Sequence, residues 1–136
     1  MNIYSIVDNT NIDKIITLFN SVYVNADNRK DSLKFFLITD EINISKIKIP
    51  TKLENKIFIR CLKFSENWRL LLDNFNKYFY KSSTWCKNNM NFGRFLFFEV
   101  FPEVDRVIYL DWDMIVYSNI FELEKYFLKT SRMIVA

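Results

Sequence analysis

Short apolar runs alternate along this chain with longer stretches whose apolar residues recur at helical spacing, and that alternation restricts it to an α/β fold. The first run, Ile3 to Val7, stops at Asp8. Ile12, Ile15, Ile16, Phe19, Val22 and Tyr23 then follow at the i, i+3, i+4, i+7 spacing of a helix packed on one side, and Thr10 with Asp13 resembles a capping box at its start. After the polar stretch Asn25 to Asp31, a second run, Leu33 to Ile38, ends in Thr39 and Asp40. Strand, helix, strand in that order implies a parallel pair, because a parallel partner is reached only by a crossover.

From Glu41 to Asn55 the pattern is ambiguous, since Ile42, Ile44, Ile47 and Ile49 suit either a strand or an irregular edge before Pro50. Lys56 to Leu62 reads as a third strand. Trp68, Leu71, Leu72, Phe75, Tyr78 and Phe79 mark an amphipathic helix whose aromatic stripe is expected to be packing. Ser82 to Asn89 is a polar break containing Trp85, and Phe92 to Phe101 is a helix stopped by Pro102, with Arg94 in its first turn. A strand from Arg106 to Leu110, a short strand from Met114 to Tyr117, a helix from about Asn119 to Leu128 and a last strand near Met133 complete the pattern. One domain over residues 1–136 is expected, with a mostly parallel sheet and helices on both faces.

Between the strand ending at Leu110 and the apolar stretch starting at Met114 stand Asp111, Trp112 and Asp113. In extended backbone, side chains at i and i+2 point the same way, so the two carboxylates share a side. Two anions at that separation raise each other's pKa unless a cation neutralises them, and carboxylate oxygens suit magnesium or manganese better than zinc or copper. The spacing alone also suits a solvated acidic turn.

Composition narrows the chemistry. With no histidine, Ser-His-Asp and Cys-His nucleophilic catalysis and histidine acid/base work are excluded. A single glycine, Gly93, excludes a Walker loop and a dinucleotide fingerprint. Cys61 and Cys86 are too few for a disulfide framework and read as reduced thiols. The net charge of +3 is spread along the chain without a basic block, which argues against nucleic acid as a partner. The first residues lack the basic and apolar regions of a signal peptide and no run approaches the ~20 apolar residues of a spanning helix, so a soluble, cytoplasmic protein is expected.

The segment NFGRFLFFEVFPEVDRVIYLDWDMIVYSNIFELEKY resembles glycosyltransferase family 8, the family of glycogenin and of bacterial lipopolysaccharide galactosyl- and glucosyltransferases. It looks like that family's Arg-bearing aromatic helix, Pro-ended turn, Asp-x-Asp strand end and Ile-x-x-Leu helix. NIYSIVDN and LKFFLITD are similar to the family's first two strands. The resemblance implies a GT-A fold, a UDP-sugar donor, manganese (or magnesium) and hexosyl transfer with retention. Asp111 and Asp113 fall on the acids that hold the metal against the diphosphate, Asp8 on the acid that contacts the uridine, and Arg94 on the basic residue near the donor. Asp8 also suits a turn preceding a helix, and Arg94 also suits an ion pair with Glu99 or Asp111.

Three departures accompany the match. The family supplies a further metal ligand, a histidine, from a second half, and its members continue past the strand near Met133 into the acceptor site. Trp112 is bulkier than most residues found between the two acids. The expectation is therefore the donor-binding half of a UDP-sugar hexosyltransferase, C-terminally truncated, acting on an unidentified glycan, lipid or protein acceptor. The alternative is a catalytically inactive nucleotide-binding remnant, or one part of a split transferase completed by a second chain; a homodimer is a further possibility.

Overall fold

The computed structural model describes residues 1–8, 11–40, 47–79 and 90–127. Thr10 of the expected capping box, Ile42 and Ile44, the polar break with Trp85 and Cys86, Leu128 and the strand near Met133 lie outside those residues. Among the described residues four strands, β1 (Asn2–Ile6), β2 (Lys34–Thr39), β3 (Ile57–Cys61) and β4 (Ile108–Tyr109), form one sheet in the order β3-β2-β1-β4. Every pairing is parallel, with Ile3 opposite both Phe35 and Ile108, and Phe35 opposite Ile57.

Both faces of this sheet are covered along its central strands, which is why these are buried almost throughout, the polar Ser5 and Thr39 included. Side chains alternate across a strand, so Ile3, Phe35 and Leu37 enter one core and Tyr4, Ile6, Phe36 and Ile38 the other. On the first face lies helix α1 (Ile12–Val24), which buries Ile12, Ile15, Leu18, Phe19 and Val22 as its periodicity requires. Its cap position is Asn11, whose side chain makes no capping bond and donates instead to Asp8 Oδ1 at 2.9 Å. On the second face, Met90, Leu96, Phe97 and Phe101 pack against the sheet, beside helix α2 (Glu66–Phe79), whose Trp68 joins that core.

Several sequence expectations shift in detail. The expected helix from Phe92 to Phe101 begins at Met90 and is broken into α3 (Met90–Gly93), a 3-10 turn Arg94–Leu96 and α4 (Phe97–Val100). Glycine is a weak helix former, and the Arg94 Nε–H donates to the Asn91 carbonyl at 2.8 Å where the helical ladder would run. Pro102 does end the run, and Phe101 before it takes φ −126°. Met114 to Tyr117, expected as a strand, is not one: the Val116 N–H donates to Ser21 Oγ at 2.9 Å and the Val116 carbonyl accepts from Asn25 Nδ2 at 2.9 Å, so side chains of α1 and its cap satisfy a backbone that pairs with no strand among the described residues. The polar stretch after α1 closes as a 3-10 turn, Asp27–Ser32, and the helix expected from Asn119 starts as a 3-10 turn, Ile120–Leu123, before α5 (Glu124–Phe127). These last two turns are bound together by Asn119 Nδ2 to Asp27 Oδ2 at 2.7 Å and by the two-point pair of Arg29 with Glu124.

Candidate donor-binding and metal site

The strand order places the site. From β1 the chain steps outward to β2 and β3 on one side, and β4 returns to the other side of β1. The carboxyl ends of β1 and β4 therefore diverge at a topological switch point, where open α/β sheets receive their ligands. Asp8 lies two residues beyond β1, and Asp111 two beyond β4. A cleft of about 440 Å³ opens there, lined by Ile6, Val7, Asp8, Met90, Asn91, Arg94, Tyr109, Asp111, Trp112 and Asp113. All four residues singled out from the sequence, Asp8, Arg94, Asp111 and Asp113, thus reach one cavity.

Each acid is fixed by its strand end. The Leu110 N–H donates to the Tyr4 carbonyl at 2.9 Å, extending the β1–β4 ladder, and the fully buried Ser5 hydroxyl donates to the Leu110 carbonyl at 2.7 Å. The backbone before Asp111 is therefore held on both polar groups of Leu110. Beyond it the chain turns instead of staying extended: the Met114 N–H donates to the Asp111 carbonyl at 3.2 Å. Asp111 and Asp113 face the same cleft because a tight turn closes between them, not because of the strand alternation inferred from the sequence. Asp8 is held in a second turn, its carbonyl accepting from the Asn11 N–H at 3.2 Å. It is a turn residue and a cleft residue at once.

Tyr109 and Arg94 meet on Asp111. The Tyr109 hydroxyl donates a short hydrogen bond to Asp111 Oδ1, and Arg94 Nη2 stands 3.7 Å from the same oxygen, an ion-pair distance. The Arg94 guanidinium lies over the Tyr109 ring, 5.0 Å from its centroid. Burial, and then the hydrogen bond to Asp111, push the Tyr109 phenol well above its ordinary pKa, so it remains a donor through the neutral range. Of the two partners considered for Arg94, Asp111 is the one observed; Glu99 accepts instead from Trp68 Nε1 at 3.3 Å.

Trp112 is half-buried, packs against the α1-side core and carries the Lys14 ammonium 4.4 Å over its ring. It forms a wall shared by the main cleft and a shallower hollow of about 280 Å³ lined by Lys14, Thr17, Asp113, Met114 and Ile115. Asn91 and Tyr109 are site residues that the sequence reading missed. Tyr109 had a legible signal, since it stands two residues before Asp111 in extended backbone and so shares its side, but within an apolar run it read as packing.

No group of three or more acidic or thiol side chains among the described residues is arranged to hold a metal ion. The donor set on the turn is two carboxylates, and that matches magnesium or manganese, which take one or two protein carboxylates and complete their shell with substrate phosphates and water.

The model of glycosyl transferase family 8 matches residues 2–135, nearly the whole chain. The chain belongs to glycosyl transferase family 8. No curated protein matches it. Membership in family 8 makes the all-parallel sheet with covered faces a GT-A-like fold, the activity class glycosyl transfer, and the donor a nucleotide-sugar. No helix among the described residues is long and apolar enough to cross a membrane.

Proposed function

We propose that this family 8 chain binds a UDP-sugar in the switch-point cleft through a divalent metal, manganese or magnesium, and transfers its hexosyl group with retention of anomeric configuration to a glycan, lipid or protein acceptor. The observation that carries this reading is the convergence of Asp8, from the end of β1, with Arg94, Asp111 and Asp113, from elements about a hundred residues later, on one cavity. Asp111 and Asp113 are the residues that would hold the metal. When bound it supplies Lewis-acid neutralisation of the diphosphate, the group on which charge accumulates as the glycosidic bond breaks.

The chain's own groups divide the remaining work. Asp8, in the lining of the cleft, is an acceptor for polar N–H or hydroxyl groups of the uridine end of the donor. The Arg94 guanidinium offers a planar fork of donors for diphosphate or sugar oxygens, and its contact with the Tyr109 ring limits its wandering. Ile6, Val7 and Met90 give the cleft an apolar floor that excludes water from one side of the ligand.

Turnover of radiolabelled UDP-hexoses tests the proposal. Release or transfer of sugar should require manganese or magnesium and should fall by about a hundredfold or more in Asp113→Asn, in keeping with loss of a preorganised charge-stabilising group. Turnover that survives Asp113→Asn unchanged would contradict the assignment. Metal-dependent UDP binding without any turnover would favour the second reading, a nucleotide-binding chain that acts together with another.

A further inference from the structure

We infer that Tyr109 is a positioning residue for the transfer site: its hydroxyl orients the Asp111 carboxylate while its ring seats the Arg94 guanidinium, so that one side chain sets both the anion and the cation of the cleft. The inference rests on the reading that Asp111 is a metal ligand and goes beyond it.

A carboxylate beyond the end of a two-residue strand is free to rotate unless something holds it. The Tyr109 hydroxyl does so at Oδ1, the oxygen that Arg94 Nη2 also faces at 3.7 Å, so both observed polar contacts of this carboxylate fall on one oxygen. Arg94 is in turn held by its Nε–H to the Asn91 carbonyl at 2.8 Å and by the Tyr109 ring beneath its guanidinium. The ring is itself immobilised. Tyr4 packs against it with centroids 5.3 Å apart, Phe97 packs against Tyr4 at 4.4 Å, and the buried Tyr4 hydroxyl donates to the Gly93 carbonyl at 3.3 Å, one residue before Arg94. Sheet, ring and helical turn thus form one connected support in which Tyr109 touches both charged groups directly. Partners that orient a metal-binding carboxylate in this way are worth about 10–100-fold in metal affinity.

Manganese binding by the full chain in the presence of UDP, followed by electron paramagnetic resonance, tests the role without requiring turnover. Tyr109→Phe keeps the ring, the Arg94 seat and the packing on Tyr4, and removes only the hydroxyl; it should weaken manganese binding about tenfold. Val22→Ala is the structural control. It deletes buried apolar atoms in the α1-side core, away from the cleft lining, should lower the urea midpoint, and should leave manganese affinity unchanged. Wild-type affinity retained in Tyr109→Phe overturns the positioning role alone, and an equal loss in Val22→Ala overturns it by showing a general loosening. Failure of the wild-type chain to bind manganese removes Asp111 as a ligand, and the role of Tyr109 with it.

Discussion

Gly93 stands where the second core meets the cleft, and a side chain has little room there. A Cβ at this position would lie 2.3 Å from Ile6 Cδ1 and 2.6 Å from Leu62 Cδ2, well inside contact distance. Both atoms are flexible side-chain ends, so Gly93→Ala should fold but lose about 1–3 kcal/mol by overpacking, read from the urea midpoint. The neighbouring Arg94 tests shape against charge. Arg94→Lys keeps the cation and loses the planar fork, so UDP-sugar affinity should fall, but by less than in Arg94→Ala, where losing hydrogen bonds to a charged partner costs about 1.5–3 kcal/mol, roughly 10–100-fold. Equal affinities for the two variants, measured by calorimetry, would deny the guanidinium a specific role. Charged residues after apolar runs announce themselves in a sequence, and Asp8, Asp111 and Asp113 were legible for that reason; Arg94, in the first turn of an aromatic helix, was marked by the family resemblance. Tyr109 and Asn91 were not, because a tyrosine in an apolar run reads as core and an asparagine beside a helix start reads as a cap.

Element by element, the strands β1, β2 and β3 follow the apolar runs to within a residue or two; for β1 and β2, covered on both faces, the sequence leaves little else to do, while β3, at the edge, keeps Phe58 and Arg60 exposed on one face. Met114 to Tyr117 shows where that logic stops. The stretch is apolar enough for a strand, but strand formation also needs a partner edge, and among the described residues the polar end of α1 provides the hydrogen bonds of Val116 instead. Ser21→Ala should therefore cost about 1 kcal/mol and speed amide exchange at Val116 while leaving Ile6 protected; unchanged exchange at Val116 would mean that the clamp is not the restraint. The broken helix from Met90 to Val100 was read as continuous because its apolar periodicity is continuous. Its interruption follows from Gly93 and from the Arg94 side chain bonding backward, features that periodicity does not register. Arg94 opens the 3-10 turn at that interruption, with Nη2 3.7 Å from Asp111 Oδ1.

At the scale of the whole molecule, a parallel sheet has a direction, and every crossover in it brings the chain back to start again from the same edge. The carboxyl ends of β1 and β4 are thus neighbours, although Asp8 and Asp111 are about a hundred residues apart in sequence. Strand identity was legible; strand order was not, because nothing in an apolar run states which neighbour it will take, and it was the family resemblance, with the position of both acids at carboxyl strand ends, that pointed to one ligand. A ligand bound only by the folded chain raises its stability by mass action, by about 2.7 kcal/mol at one hundred times its dissociation constant. UDP with manganese should therefore raise the melting temperature of the chain, and should not do so for Asp111→Asn. The most direct measurement is calorimetric titration of UDP into the chain with and without manganese. Binding that needs the metal, and that disappears when both Asp111 and Asp113 are changed to asparagine, is the expected result; UDP binding of equal strength without metal or in the doubly substituted chain would contradict the account.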